Sequence, residues 1–386
     1  MELYKKLSNL LDVNIIKQLS NGDILVSSSN TIKLYSIITF DKLYTFREIK
    51  SAIIYIKSIF EISNNIKTNK KNEILLAFYL SDFTIQIIKL IKKGTNKPVY
   101  RHKLHQTIDI NPNNNNVINP FACITSFFHY LIIGKNNRVQ YYINKGEENG
   151  KINFTKDKEY KINCKSNINN TIIAISCITY KQYKFMIIVE EMKLSKQFDV
   201  KIFYFEKFEL IMHLSDVYLS PEKGLKGLLS YMTCFEEKKL YLILGDNNDK
   251  IMIIKLFDDF DIYENISLSK IIKEFSFNKN SDSNNYKIRS ICGLDDGTFV
   301  ICLFYNKSLN EKNYIIRARI NNKNKRFELL YISDNVHNNK SNFITSSVVV
   351  NNISINKNKK IKEDFFISGD HEGMIKIWKY KKIINI

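Results

Sequence analysis

The chain has 386 residues, 44% hydrophobic and 25% charged, which is an ordinary globular composition with ample material for a core. Its formal charge of +19 points to an anionic partner such as nucleic acid, an acidic protein or a membrane surface. The surplus of Lys, Asn and Ile is equally what an A/T-rich coding sequence produces, so charge alone does not decide. No apolar stretch approaches the ~18 residues that span a bilayer, and the opening residues lack the apolar core of a signal peptide.

Phe, Tyr and Ile, all suited to half-buried pleated surfaces, dominate the apolar residues and predict β structure. Met1 to Leu10 precede the first regular unit. Gly22 to Tyr35 reads as a strand, a polar turn and a second strand of the form apolar, any, apolar, large apolar: Ile32, Lys33, Leu34, Tyr35. The same unit recurs at Ile85 to Ile88 and, after the polar turn opened by Gly134, at Val139 to Tyr142. It recurs again at Val200 to Phe203, where the pattern predicts strands over Thr171–Thr179, Lys184–Val189, Asp199–Phe205 and Glu209–Leu214. The next copy, Ile251 to Ile254, predicts strands over Leu228–Phe235, Leu240–Leu244, Ile251–Leu256 and Ile262–Leu268, with a turn opened by Gly245. Tyr314 to Ile320 is strand-like, but Arg317 and Arg319 spoil the large apolar position. The clearest copy is the last, Phe365 to Trp378: a strand, a turn from Gly369 to Gly373, and Ile375, Lys376, Ile377, Trp378.

Seven such units of about 55 residues account for residues 1–386, and a period of that size with several strands per unit signals a β-propeller. The predicted fold is therefore all-β: a single seven-bladed propeller with four antiparallel strands per blade. The last unit, 343–380, ends after its third strand, so residues 2–10 are expected to add the fourth and close the propeller, since an unpaired edge would expose backbone donors and acceptors. Cys123, Cys177, Cys234 and Cys292 each fall in the first strand of a unit, which fits a packing role. No pair of cysteines has C-x-x-C spacing, and no cofactor or metal site is signalled. The thiols are expected to be reduced, in the cytoplasm or nucleus.

The final unit resembles a WD-repeat. In that family a Ser of the second strand, an Asp of the turn, a Trp of the third strand and an upstream His form a hydrogen-bonded tetrad. Ser368 and Trp378 match, His337 lies in the corresponding upstream connection, and Glu372 stands where the Asp is expected. Elsewhere Tyr35, Ile88, Tyr142, Phe203 and Ile254 replace the Trp, so the resemblance is specific over roughly thirty residues, and a kelch-type arrangement fits the same spacing. It implies a propeller used as an interaction platform.

No phosphate-cradling Gly-rich loop, H-E-x-x-H or G-x-S-x-G is present, and an enzyme is not expected. His102 and His105 fall on opposite faces of a strand, against a shared metal. The pairs Glu190-Glu191, Asp258-Asp259 and Asp295-Asp296 read as solvated turn carboxylates. Function is expected on loops held by the scaffold. The turns joining second to third strands share one rim, where Lys135, Asn136, Glu190, Asp246, Asn247, Asp370 and His371 are the candidate partner-binding residues. The expected role is a scaffold for protein–protein interactions, monomeric within a larger intracellular complex. RNA or ribonucleoprotein is the alternative partner, suggested by the charge and by Tyr and Phe interleaved with Lys.

Overall fold

The computed structural model describes residues 1–8, 10, 12–29, 31–46, 56–62, 73–94, 99–110, 122–135, 137–148, 151–162, 170–180, 182–192, 197–217, 228–234, 239–245, 250–256, 261–267, 286–294, 296–307, 310–321, 326–333, 344–356 and 359–381. Among these residues every sheet is four-stranded, and the paired strands are antiparallel. In chain order the strands are β1 (Glu2–Ser8), β2 (Ile15–Gln18), β3 (Ile24–Ser27), β4 (Ile32–Tyr35) and β5 (Lys42–Phe46). Next come β6 (Ile56–Ile62), β7 (Glu73–Leu80), β8 (Thr84–Lys93), β9 (Val99–Asp109), β10 (Ala122–Phe127), β11 (Tyr130–Lys135), β12 (Arg138–Glu148) and β13 (Lys151–Lys161). They are followed by β14 (Asn170–Tyr180), β15 (Tyr183–Met192), β16 (Gln197–Tyr204), β17 (Glu209–Val217), β18 (Leu228–Cys234), β19 (Lys239–Gly245), β20 (Lys250–Leu256) and β21 (Asp261–Ser267). The last are β22 (Tyr286–Gly293), β23 (Thr298–Lys307), β24 (Asn310–Asn321), β25 (Arg326–Ser333), β26 (Ile344–Asn356), β27 (Lys359–Asp370) and β28 (Met374–Tyr380).

The sheets are meanders of consecutive strands, β2 to β5, β6 to β9, β10 to β13, β14 to β17, β18 to β21 and β22 to β25, with one exception. In the order β1-β28-β27-β26 the N-terminal strand pairs antiparallel with β28, Leu3 opposite Trp378 and Leu7 opposite Ile375. The strands thus follow the repeat read from the sequence, and from β14 to β21 each boundary lies within a few residues of the expected one.

By contact the chain divides into two compact units, Met1–Asp41 with Leu219–Ile386, and Lys42–Tyr218. In the first unit β18 packs on β22, β22 on β26 and β26 on β2, so first strands adjoin first strands. In the second, β10 lies between β6 and β14. Strands buried on both faces explain the near-continuous apolar runs. In β28, Ile375 and Ile377 pack with Val13, Ile24 and Val26, whereas Trp378 and Tyr380 pack with Val300, Cys302 and Ile315.

Three glycines correct the sequence reading. Gly134, Gly245 and Gly369 do not shape turns: none has a positive φ, and they lie in β11, β19 and β27. A Cβ on Gly369 would lie 2.8 Å from Val13 Cβ, on Gly245 2.8 Å from Ile291 Cδ1, and on Gly134 2.5 Å from Ile175 Cδ1. Each marks the place where a second strand touches the start of the following sheet. The positive φ belongs to Gly373 at 84° in the turn after Asp370.

The cysteines fall as expected on β10, β14, β18 and β22. Burial pushes the Cys123 thiol up to about 12 and the Cys177 thiol well above its ordinary value, so both remain protonated and unreactive. Among the described residues no group of three or more His, Cys, Asp or Glu could hold a metal, and no helix is long and apolar enough to cross a membrane.

Candidate functional site

Within each meander the turn between second and third strands lies at one end, and the other two hairpin turns lie at the opposite end. At the first end several candidate residues have structural work. Glu190 belongs to β15 and not to a turn; it is fully buried and its carboxylate pairs with Lys201 Nζ. Lys201 also lies 3.8 Å from Asp199, which His213 Nε2 contacts at 3.0 Å. Asp370 is buried too, accepting hydrogen bonds from the backbone N–H of Glu372 at 3.1 Å and of Met374 at 2.8 Å. Burial removes both carboxylates from any partner-binding surface. Lys135 is half-buried and donates to Ile110 O at 3.1 Å, while His371 is half-buried in its turn. Asn136, Asp246, Asn247, Asp258, Asp259, Asp295 and His337 lie outside the described residues.

Of the tetrad-like set, Trp378 Nε1 donates to Ser368 Oγ at 2.9 Å. Glu372 is exposed at the turn tip. The carboxylate that organises the turn is Asp370, two residues earlier. His102 and His105 hold neighbouring strands: Tyr44 Oη lies 2.8 Å from His102 Nδ1, and His105 Nδ1 accepts from Ile152 N at 3.1 Å.

The variable second position of the third-strand unit also has a definite character. Lys201 and Lys376 occupy it and are buried, Lys201 paired with Glu190 and Lys376 within the field of Asp370. Arg317 pairs with Asp296 and donates from Nε to Thr298 Oγ1 at 3.0 Å. Arg319 is half-buried and forked onto Glu328 at 2.8 and 3.2 Å.

The opposite end carries the better candidate. Between the sheets β10 to β13 and β14 to β17 lies a recess of ≈ 220 Å³. The β10–β11 turn brings Phe128 and His129 to it, β12 and β13 bring Tyr141, Lys158 and Tyr160, and the other sheet brings Lys184 and the turn residues Phe205 and Glu206. Gln106 helps place β13, because its side-chain amide donates to Phe154 O at 3.0 Å and accepts from Phe154 N at 2.7 Å. Tyr141 meets Tyr130, Tyr160 and Phe205 at centroid distances of 5.9, 5.5 and 5.5 Å. Phe208 stacks on Tyr160 at 4.3 Å and on Phe203 at 4.5 Å.

Phe128 and Phe208 both have φ of 53°, a region that bulky side chains rarely adopt, and this turns their rings towards the recess walls. Lys184 Nζ lies 4.7 Å from the Phe128 centroid and 2.9 Å from Glu206 Oε1. Burial, and secondarily the Lys184 charge, hold His129 below its ordinary value of 6.5, which leaves it neutral at pH 7. Burial chiefly raises the Tyr141 pKa, so its hydroxyl stays a donor, 3.4 Å from Phe205 O. At the mouth Phe128 is 41% exposed.

The sequence reading missed this recess because its residues come from two different sheets and from hairpin turns at the end opposite the expected rim. The available signal was aromatic residues in turns where polar ones are usual: Phe127 to Tyr130, and Phe205 to Phe208.

No protein-family model and no curated protein matches the chain. Solved structures do. A crystal structure of Chaetomium thermophilum Sqt1 bound to the N-terminus of the ribosomal protein L10 is similar with a TM-score of 0.55 and 6% identity, over 98% of this chain and 100% of that one. A second crystal structure of Sqt1 from the same organism gives 0.55 and 6%, over 98% and 99%. At this identity the likeness is one of fold, and together with the four-stranded antiparallel blades it makes the chain an all-β propeller.

Proposed function

We propose that the chain is a non-catalytic, WD-repeat-like propeller of seven blades, completed by β1, that holds protein partners within an intracellular complex. One observation carries this reading: Phe128 stands 41% exposed at an aromatic recess fixed between two sheets. Large aromatic residues on a rigid frame are what protein interfaces use at their energetic centres. The similar Sqt1 structure, bound to the N-terminus of a ribosomal protein, supports a protein segment as the partner class. Affinity capture with the full chain should return a stoichiometric protein partner, and Phe128→Asp should release it. Capture of no protein, or of one indifferent to that substitution, would count against the proposal.

The charge of +19 favours RNA as the second reading. Phosphate binding weakens steeply with salt, so filter binding of RNA without a salt slope removes it.

A further inference from the structure

The recess between the sheets β10 to β13 and β14 to β17 also constrains the chemistry of what enters it. Its volume of ≈ 220 Å³ falls below the ~300–1,000 Å³ of pockets that enclose whole small molecules. One large side chain is the guest of matching size. The walls are aromatic, but their flat faces are spent internally. Tyr160 and Phe208 stack at an interplanar angle of 11°, Phe203 and Phe208 at 15°, and the Phe128 face carries Lys184. No broad platform is left for the successive stacked bases of a single-stranded nucleic acid. Tyr130 meets Tyr141 edge-on at 86°, an arrangement that extends naturally to one more apolar or aromatic group.

Charge at the mouth selects further. Lys158 is exposed and the Lys184 side chain is 38% exposed, against one lining carboxylate, Glu206. The Lys184–Glu206 pair is weakly held: Glu206 is 72% exposed, and solvent-exposed pairs contribute little. Lys184 can therefore exchange Glu206 for a carboxylate on an incoming chain at little cost. A cationic guest would meet two ammonium groups, and a neutral one would leave them unused.

We propose that this recess docks an acidic protein segment, taking one bulky apolar side chain between the aromatic walls while flanking carboxylates pair with Lys158 and Lys184. This rests on the protein-binding reading above and names its partner's chemistry.

Selection of short random peptides displayed on phage, with the full-length chain as bait, tests it. Enriched peptides should carry one Phe, Trp, Leu or Met among Asp and Glu. By fluorescence polarisation their binding should fall roughly tenfold on Lys158→Glu with Lys184→Glu, and weaken with salt. Glu206→Gln, which frees Lys184, should tighten it. All three residues are at least partly exposed, and circular dichroism verifies that the variants fold. Basic or uncharged enriched peptides, no enrichment, or affinities indifferent to the double reversal overturn the proposal. So does competition by oligouridylate that disappears with the same reversal, which would make this a nucleic-acid site. Should the double reversal leave a stoichiometric protein partner captured, this proposal falls while the scaffold reading stands.

Discussion

The indole nitrogen of Trp378 reaches Ser368 Oγ at 2.9 Å, diagonally across the β27–β28 ladder, where Ser368 is opposite Lys376 and Trp378 opposite Phe366. Both side chains are buried, so removing the Ser368 hydroxyl strands the indole N–H in the core. Ser368→Ala is expected to cost about 1–3 kcal/mol in urea unfolding. Combined with Trp378→Phe, which removes the donor, the loss should be smaller than the sum of the two single losses. Additive losses would show that the bond contributes nothing of its own.

Lys201 and Glu190 are a different case, because each is charged and almost without solvent contact. Glu190→Leu leaves Lys201 buried beside Asp199 alone and should destabilise by about 3–5 kcal/mol. Glu190→Leu with Lys201→Met replaces both charges by apolar groups and should recover most of that loss, read from denaturation midpoints at constant m-value.

Gly369→Ala tests the close approach of sheets. The added methyl would press on Val13 and on Ile16 Cδ1, 3.0 Å away, at a point with no room to yield. A loss of about 1–3 kcal/mol is expected from overpacking, partly reversed by Val13→Ala. At Gly22, where the nearest atom is 3.5 Å away but φ is 89°, the cost of alanine would instead be backbone strain.

His129 supplies a pH dependence with a definite sign. Its pKa is depressed in the folded state, first by burial and then by Lys184. As pH falls through its ordinary value of 6.5, the unfolded chain takes up the proton before the folded one, so stability drops. The drop should level off below the folded midpoint. Proton NMR of the imidazole should place that midpoint below 6.5, and Lys184→Gln should move it upward. An unmoved midpoint would leave burial as the whole cause.

Legibility from sequence followed the physics of periodicity. Strands such as β15, β16, β19 and β20 were readable because apolar runs bounded by polar turns carry their own signal. Ser368 and Trp378 were readable because they match a motif. The identity of the organising carboxylate was not: Asp370 and Glu372 are both acidic and two residues apart, and only burial tells which one holds the turn. Glu190 looked like a turn carboxylate for the same reason, since its partner Lys201 lies on the next strand. The recess was hidden because it is formed by residues from separate sheets, Tyr160 and Phe208 among them, whose proximity no local pattern encodes.

The pairing of β1 with β28 sets the order in which the sheet can be made. During synthesis Leu3 leaves the ribosome long before Trp378, and it must remain unmatched while every intervening strand is produced. Contacts so distant along the chain form slowly. Until they do, β1, with Leu3 and Tyr4 on its surface, is a loose adhesive strand that chaperones or neighbouring nascent chains can capture.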